Sequence, residues 1–434
     1  MPVISENDAT RTSLRRVGLA SGVGSTLEFY DFAIYGTAAA LVFGQIFFAS
    51  GDEWFSAFLG LATFAVGFLF TPLGALLFGW IGDRYGRRFS LMLTFVVMGS
   101  STLLMGLLPS YLAIGITAPL LLIVLRVFHG LSRGGEIGGA AVLAVEHAPA
   151  HRRGLYGSFA PLGSPIGQLL ANLAFVLVLL LPMQAVIDWG WRVPFLVGGF
   201  VLALGVWARR GIDETPEFAA LPAKRSTPFF AVFRRDWRRL LLGAGVNFGL
   251  NANMFILATF MLSYATAAAP QGLALPRQPI VLGSMAGLLC HGITTVLACW
   301  LSDRVGRKPV MLSGAVAALV YALLMFQITD IGTPLAVSVA MIIGFTLTGF
   351  IWGPLLTYFS ELFSVEQRQS GVGLAFQLGS VLGGGLAPMI ANRLVAVTGS
   401  SASVGWYIAA GLLVTLVCLL SLPETAPART REVA

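Results

Sequence analysis

The segment Gly79-Trp-Ile-Gly-Asp83-Arg-Tyr-Gly86-Arg-Arg88 lies between two long apolar stretches and returns 220 residues later as Cys299-Trp-Leu-Ser-Asp303-Arg-Val-Gly306-Arg-Lys308. A second pair of similar segments recurs at nearly the same interval, as Glu214-Thr-Pro216 and Glu424-Thr-Ala-Pro427. The interval is close to half of the 434 residues. The sequence therefore predicts two related halves that arose by duplication.

The composition is that of a membrane protein. Hydrophobic residues make up 56% of the chain and charged residues only 11%, whereas a soluble domain carries roughly 25% charged residues. The net charge of +7 would suit a nucleic-acid partner, but the charges fall in short loops between apolar stretches, which is typical of membrane proteins. The 51 glycines suit helices that pack closely in lipid. We therefore expect the bilayer as the main partner and no nucleic acid.

Twelve apolar stretches are long enough to cross a bilayer, which takes about 20 residues each. Pro109 and Pro423 close the third and the last of them. The predicted spans are 17–47, 54–80, 89–108, 114–146, 154–182, 190–208, 240–267, 278–301, 309–328, 333–360, 368–397 and 403–422.

The basic residues predict the orientation. Of the 27 lysines and arginines, 22 lie before, between or after the spans on one side, and eight of these fall between spans six and seven. Arg192, Arg277 and Arg393 lie on the other side, and Arg126 and Arg133 lie within span four. Because loops rich in Lys and Arg stay in the cytoplasm, both termini are predicted to be cytoplasmic. The predicted division is a terminal segment 1–16, a first half 17–209, a cytoplasmic loop 210–239, a second half 240–422 and a tail 423–434.

Several classes of function are excluded by missing motifs. The chain has no nucleotide-binding glycine loop, no His-Glu-x-x-His helix and no Gly-x-Ser-x-Gly elbow. Cys290, Cys299 and Cys418 lie in apolar stretches without metal or disulfide spacing. The central loop is too short for a catalytic or signalling domain. We therefore expect neither an enzyme, a sensor nor an ATP-driven pump, and no metal.

The repeated Asp-Arg-x-Gly-Arg loop resembles the signature of the major facilitator superfamily. Three further blocks resemble its metabolite–proton symporter family, which includes shikimate, α-ketoglutarate, citrate and dicarboxylate permeases and proline/betaine carriers. They are Glu28-Phe-Tyr-Asp31-Phe-Ala-Ile-Tyr35, Arg126-Val-Phe-His-Gly-Leu-Ser-Arg-Gly-Gly-Glu136, and Trp189-Gly-Trp-Arg192 with Asp213-Glu-Thr-Pro-Glu-Phe218.

The resemblance implies an all-α membrane fold of twelve helices in two pseudo-symmetric six-helix halves, with the substrate path between them. It also implies a multi-pass protein of the bacterial inner membrane that works as a monomer on a small molecule. No cofactor is expected beyond the proton as coupling ion. Cys299 replaces the first glycine of the motif in the second copy, so this loop is expected either to form a weaker latch or to pack differently there.

Ionisable residues within the spans predict the transport site, because such groups are costly in lipid and by default mark a functional path. Glu28, Asp31 and Tyr35 share one face of helix one, since they are spaced i, i+3, i+7. The side chains spaced i, i+3, i+7, i+10 on helix four also share a face, and they are Arg126, His129, Arg133 and Glu136. Ion pairs between helices one and four are therefore expected.

A mechanism follows from that pairing. Asp31, or in second place Glu28, takes up the proton and thereby frees Arg126 or Arg133 for an anionic substrate. Glu136 belongs to the proton-coupling set, and the alternative for both Glu136 and Arg133 is a role in a gate or in helix packing. The alternative is a structural pair of Asp31 with Arg126 that only fixes helix packing.

Two further side chains beside this stripe have open roles. His129 stands where members of the family often carry glutamine, and it either titrates near neutral pH or is a hydrogen-bonded structural histidine. Tyr30 would line the cavity, as would Tyr35.

Polar residues elsewhere in the spans are candidate substrate ligands or interhelical hydrogen-bond partners. They are Gln168 and Asn172 on helix five, Asn247 and Asn251 on helix seven, Trp352 on helix ten and Gln377 on helix eleven.

The repeated loops are predicted to form a gate. Asp83 can cap the start of a helix while the arginines pair with carboxylates at neighbouring helix ends. The predicted gating residues are Asp83, Arg84 and Arg87, their counterparts Asp303, Arg304 and Arg307, and Glu361.

The function expected from these features is proton-coupled uptake of a small organic acid by alternating access. Two alternatives stay open, namely export of a drug or metabolite by proton antiport, and symport of a zwitterionic osmolyte such as proline or betaine.

Overall fold

The computed structural model describes residues 6–48, 53–209, 214–220, 231–268 and 272–426. Parts of all five predicted segments lie outside the described residues. They are positions 1–5 of the N-terminal segment, 49–52 of the first half, 210–213 and 221–230 of the central loop, 269–271 of the second half, and the tail from 427 onward.

Among the described residues, the first half contains six long helices. Four of them adjoin short helical pieces: α1 continues through a π-helical turn, and α4, α5 and α6 are each preceded by short helical turns. The bounds are α1 Glu6–Ala38 (continued by Ala39–Phe43 and Gly44–Phe47), α2 Glu53–Tyr85, α3 Arg87–Leu107, α4 Thr117–His147, α5 Phe159–Val178 and α6 Arg192–Arg209.

The second half repeats the pattern. Its helices seven and eleven each contain a π-helical turn. The bounds are α7 Trp237–Phe255 (continued by Ile256–Phe260 and Met261–Thr266), α8 Arg277–Val305, α9 Arg307–Thr329, α10 Pro334–Leu362, α11 Arg368–Ser380 (continued by Val381–Gly385 and Ala387–Thr398) and α12 Ala402–Ser421.

Ten stretches of helix in the described residues are long and apolar enough to cross a membrane. The two long helices outside this set are α1 and α4. These two carry the in-span charges, such as Asp31 and Arg126, which lower their hydropathy. The predicted twelve-helix fold is confirmed, and α3 and α12 end two residues before Pro109 and Pro423, which close these helices as predicted.

The glycine of each repeated loop is required by its backbone. Gly86 separates α2 from α3 with φ 116°, and Gly306 separates α8 from α9 with φ 106°. L-residues rarely adopt such values, whereas glycine does so without strain. The duplicated motif therefore encodes the same sharp reversal twice.

The chain divides into two compact units, each of which takes one short segment from the other half of the sequence. Unit 1 comprises Met1–His147, Leu162–Phe229 and Val365–Gly373. Unit 2 comprises Ala148–Pro161, Phe230–Ser364 and Leu374–Ala434. The segment after α4 thus belongs to unit 2, and the segment after α10 belongs to unit 1.

An aromatic cluster forms part of the core of unit 1. Phe43 contacts Trp191 edge to face with ring centroids 5.5 Å apart, and Phe47 contacts the same indole at 5.8 Å. Tyr35 packs edge to face on Phe43 at 5.1 Å. These rings join α1 to the start of α6 on one side of the buried charges.

Candidate transport site

An ion pair joins α1 to α4 inside unit 1. Arg133 Nε lies 3.2 Å from Glu28 Oε1, and both side chains are almost completely buried. This is the interhelical ion pair that the two stripes predict. Neither oxygen of Glu28 has a hydrogen-bond donor among the described residues, so the carboxylate is held chiefly by the charge of Arg133.

Asp31 is not paired with an arginine among the described residues, so the predicted direct contact between Asp31 and Arg126 is not formed. Asp31 Oδ2 accepts a hydrogen bond from the Thr102 hydroxyl at 2.7 Å and lies 3.7 Å from His129 Nε2. The other oxygen, Oδ1, has no hydrogen-bond donor in this part of the structure. Helical spacing places Asp31 and Arg126 on facing stripes, but the side chain of His129 lies between them.

Both buried guanidinium groups stack on aromatic rings of α1 and α2. Arg126 lies over the ring of Tyr35 at 3.9 Å and that of Phe64 at 5.3 Å. Arg133 lies in the same way over Phe32 at 4.3 Å and over Phe68 at 5.3 Å. Such cation–π contacts stabilise a desolvated cation by about 2 kcal/mol. The rings stabilise the two cations without using their N–H donors, and Arg126 Nε has no hydrogen-bond acceptor among the described residues.

Gly67 on α2 leaves the room that Arg126 occupies, because a Cβ at this position would overlap the guanidinium. Gly67→Ala is therefore expected to displace Arg126 and to lower the initial rate of transport about tenfold, since overpacking a buried site costs about 1–3 kcal/mol. Transport assays in reconstituted vesicles would measure this rate. Gly385→Ala is the matched control, because an added Cβ there has nothing within 4 Å. Equal rates for the two variants would contradict the assigned position of Arg126.

Three further predicted residues of the first half form hydrogen bonds to neighbouring helices. Tyr35 donates to Thr63 Oγ1 at 2.6 Å, and Tyr30 donates to the Pro194 carbonyl at 2.8 Å. Glu136 accepts from Thr94 Oγ1 at 2.7 Å. Tyr30 thus uses its hydroxyl to bind α6 and is buried, so a cavity-lining role would require it to move.

Among the described hydrogen bonds, none joins the two candidates on α5 to these residues. Gln168 donates to the Ser164 hydroxyl of its own helix at 3.1 Å, and both Gln168 and Asn172 are half-buried.

The candidates of the second half lie in unit 2 and are neutral. Asn247 Nδ2 donates to the Phe376 carbonyl at 2.6 Å, and Asn251 Nδ2 donates to Asn247 Oδ1 at 2.7 Å. Trp352 Nε1 donates to the Pro161 carbonyl at 2.8 Å. Gln377 is buried and neither its amide nitrogen nor its amide oxygen has a partner among the described residues. Of these four, Gln377 therefore has the most hydrogen-bonding capacity left for a solute.

The first copy of the repeated loop forms a closed polar cluster in unit 1, here called the first latch. Asp83 accepts hydrogen bonds from the backbone N–H groups of Gln369 and Ser370 at 3.1 and 3.0 Å, and from the Ser370 hydroxyl at 2.5 Å. Arg87 binds Asp83 at 2.5 Å and donates to the Val365 carbonyl at 2.5 Å. Asp83 thus caps the start of α11, so the predicted capping of a helix start is present here.

Glutamates complete the first latch. Glu146 lies 3.7 Å from Arg87 and 2.9 Å from Arg368, which also pairs with Glu217. Glu214 accepts from the backbone N–H of Arg87 at 3.0 Å and so caps the start of α3.

The second copy forms an equivalent cluster in unit 2, here called the second latch. Asp303 accepts from the backbone N–H groups of Gly154 and Leu155, each at 2.8 Å. Arg307 binds Asp303 at 2.6 Å and Glu361 at 3.2 Å. The expected contact of Glu361 with this loop is therefore present, and Arg307 makes it.

In each latch a glycine permits a close approach of two segments, but this glycine lies on a different segment in each latch. In the first, a Cβ on Gly79 would lie 2.6 Å from Ser370 Cα. In the second, where Cys299 replaces that glycine, a Cβ on Gly154 would lie 2.6 Å from the Cys299 carbonyl oxygen. The close approach is thus kept, and the second loop packs differently, as expected from Cys299.

Two predicted gating residues take no part in the latch contacts of the described residues. Arg84 is exposed and stacks on Trp80 at 5.3 Å, and Arg304 is exposed and stacks on Trp300 at 3.9 Å. Each of these arginines directly follows the aspartate of its latch, and consecutive positions on a helix point about 100° apart, so an arginine there faces away from the latch.

Comparisons with known proteins agree with this geometry. Residues 17–231 match the family model described as sugar (and other) transporter, and residues 252–434 match that of the major facilitator superfamily. The chain is 38% identical over 418 residues to the inner membrane metabolite transport protein YhjE of Escherichia coli K12, with 95% of each chain covered.

The chain belongs to the major facilitator superfamily.

Within it, the chain lies in the group of metabolite, shikimate and proline/betaine transporters. It is 35% identical to the shikimate transporter of E. coli K12, covering 97% of each, and 32% identical to its proline/betaine transporter, covering 95% of this chain and 84% of that one. Among solved structures, the proton:xylose symporter XylE bound to 6-bromo-6-deoxy-D-glucose has the same fold, with TM-score 0.79, 18% identity and 96% and 97% coverage. The protein is a membrane transporter of small molecules rather than an enzyme.

Sequence reasoning missed four glutamates of this transporter's latches. They are Glu146, Glu214, Glu217 and Glu424, of which Glu424 accepts from the Arg307 and Lys308 N–H groups at 3.0 Å each. A signal for Glu146 was present, because Glu146 and Arg153 have the same spacing as Glu361 and Arg368. Glu214 and Glu424 also stand in the second repeated segment, and they cap equivalent helices.

Proposed function

We propose that this protein takes up a small organic anion together with protons across the bacterial inner membrane, by alternating access of a monomer whose termini are cytoplasmic. The observation that carries the proposal is the buried set of two carboxylates and two guanidinium groups between α1 and α4. Such a set is costly in a membrane. In a transporter it provides both a proton acceptor and an anion-binding group.

Geometry favours Asp31 over Glu28 as the proton carrier. A proton on Glu28 would remove the charge that pairs with Arg133 at 3.2 Å. A proton on Asp31 would break no pair with an arginine of the described residues, and the Thr102 hydroxyl can turn to serve either protonation state. Asp31 therefore binds and releases the proton at the smaller structural cost.

The arginines favour an anionic solute. Because Arg126 Nε has no hydrogen-bond acceptor among the described residues, a solute carboxylate would bind this edge of the guanidinium, bidentately with a second N–H group. In unit 2 the position 220 residues after Asp31 is Asn251, so the equivalent position there carries a neutral amide. The charged groups of unit 1 thus suit an anionic solute.

The latches would supply the gate. The first holds Val365–Gly373 on unit 1, and the second holds Ala148–Pro161 on unit 2. Release of these two segments breaks backbone hydrogen bonds to Asp83 and Asp303. In alternating access, the latches would form in one state and open in the other.

The proposal is tested by proton movement in right-side-out vesicles that contain the protein. The solutes are shikimate, citrate, α-ketoglutarate, C4-dicarboxylates, benzoate and betaine, added one at a time. At least one organic acid should make the external medium more alkaline, at a rate several times that of vesicles without the protein. Two results together would favour proton antiport instead. None of the acids would make the external medium more alkaline, and a solute would collapse an acid-inside pH gradient in everted vesicles.

A zwitterionic substrate is a second candidate, because the chain is 32% identical to a proline/betaine transporter. Charge movement separates the two. One proton with a monoanion carries no net charge, so an imposed membrane potential should leave accumulation unchanged. One proton with betaine carries one positive charge, and an inside-negative potential of about 60 mV should then raise accumulation about tenfold.

A further inference from the structure

His129 lies between the proton site and the anion site in one specific tautomer. Its Nδ1 is 3.2 Å from Arg126 Nη1, and its Nε2 faces Asp31 Oδ2 at 3.7 Å. Arginine has only donors, so Nδ1 must be the acceptor and the ring hydrogen of the neutral histidine must be on Nε2. This tautomer is assigned from the hydrogen-bond network. It directs the N–H toward the carboxylate that we propose to bind the proton.

Charged groups lie near His129 on its own helix and on α1. On its own helix, Arg126 and Arg133 are cationic, and α1 contributes Asp31 with Glu28 further along the same face. The third helix contributes the Thr102 hydroxyl, which is uncharged. The imidazole itself is almost completely buried. Its two nitrogens therefore face one cation and one carboxylate, respectively.

His129 Nδ1 can either carry a hydrogen or accept the hydrogen bond from Arg126, but not both. With one more proton on the Asp31–His129 pair, Nδ1 carries a hydrogen in two cases: the ring holds both protons, or Asp31 keeps its proton and donates a hydrogen bond to Nε2 while the single ring hydrogen has moved to Nδ1. In both cases Nδ1 becomes a donor that faces the Arg126 N–H groups, so Arg126 must turn away. The net charge of Asp31, His129 and Arg126 rises from zero to +1, which one solute carboxylate balances.

We infer that His129 is the positioning residue of proton coupling: protonation of the Asp31–His129 pair releases the edge of Arg126 to bind the solute. This inference rests on the proposed function and adds the link between its two sites. By linkage, a solute anion that captures Arg126 also makes room for the hydrogen on Nδ1. Asp31 and Arg126 can thus be coupled although no direct ion pair joins them.

The inference is tested without any solute by nitrogen NMR of the full chain in lipid vesicles, with ¹⁵N-labelled histidine. The chain has four histidines, so His129→Gln and His291→Gln suffice to assign the two buried signals. Wild-type His129 should show an unprotonated Nδ1 and a protonated Nε2 at pH 8. Arg126→Met removes the donor and the cation, and it should raise the Nδ1-protonated fraction of His129 at pH 6 at least about tenfold.

Two controls keep the test specific. Arg126→Lys retains a cationic donor and should retain the wild-type tautomer. The signal of His291, whose Nδ1 contacts the Phe345 carbonyl at 3.1 Å, should be the same in all variants. A protonated Nδ1 in the wild type at pH 8, or an Arg126→Met spectrum equal to the wild type at every pH, would overturn the inference. Because no solute is used, either outcome is independent of whether the vesicle experiment finds a transported acid.

Discussion

Asp31→Asn is expected to abolish proton-driven accumulation while solute still exchanges across the membrane at a reduced rate. The asparagine oxygen can accept the hydrogen bond that Thr102 now donates at 2.7 Å, so the packing of α1 against α3 is kept. The amide binds no proton, however, and the proton gradient then does no work on the solute. With a gradient of one pH unit, accumulation should fall from about tenfold to none.

Asp188→Asn is the matched control for this prediction. Asp188 is an exposed carboxylate of the same unit, to which Gln184 donates at 2.9 Å, and its replacement should leave the accumulation ratio within about twofold of the wild type. The measurement is the ratio of labelled solute inside and outside vesicles under an imposed pH gradient. Full accumulation by Asp31→Asn would exclude Asp31 as the proton carrier and direct attention to Glu28.

Arg87→Ala and Arg307→Ala are expected to have the second large effect, because each removes the central cation of a latch. Arg87 is fully buried against Asp83 and Glu146, and Arg307 is buried against Asp303 and Glu361. Loss of one partner from a buried ion pair costs about 3–5 kcal/mol, since the other charge stays buried. The state in which that latch is closed should lose population by two or more powers of ten, and transport should fall accordingly.

The chain contains its own controls for the latches. Arg84→Ala and Arg304→Ala remove an arginine from the same loops, but these side chains are exposed and stack on tryptophans. Their transport rates should stay within about twofold of the wild type. Initial rates and thermal stability in detergent would be measured for all four variants. Equal losses for Arg84→Ala and Arg87→Ala would mean that the loop acts through its total charge rather than through the ion pairs described here.

Much of the fold could be predicted from the sequence because its signals are local and repeated. Apolar length predicts each span, and the repeat at Asp83 and Asp303 predicts two halves. Helical periodicity also predicts that Glu28 and Arg133 lie on facing stripes. These inferences need only the rise and turn of a helix, which are the same in every helix.

The parts that could not be predicted depend on side-chain direction and on distant partners. Spacing places Asp31 and Arg126 on opposed faces, but it does not show that the His129 ring lies between them or that Thr102 of α3 binds the carboxylate. It likewise does not distinguish the buried Arg87 from the exposed Arg84. Asp83 was predicted to cap a helix start, but nothing local indicates that this helix is α11.

The hydrogen bonds of Asp83 have a consequence for biosynthesis. The N–H of Ser370 that this carboxylate binds lies 287 residues further along the chain. At about 5–20 residues per second, a ribosome needs roughly 15–60 s to make that stretch. Throughout this time the newly inserted first half contains an acidic side chain without its final donors. The first half therefore cannot complete its own polar interior until the eleventh helix has begun to emerge.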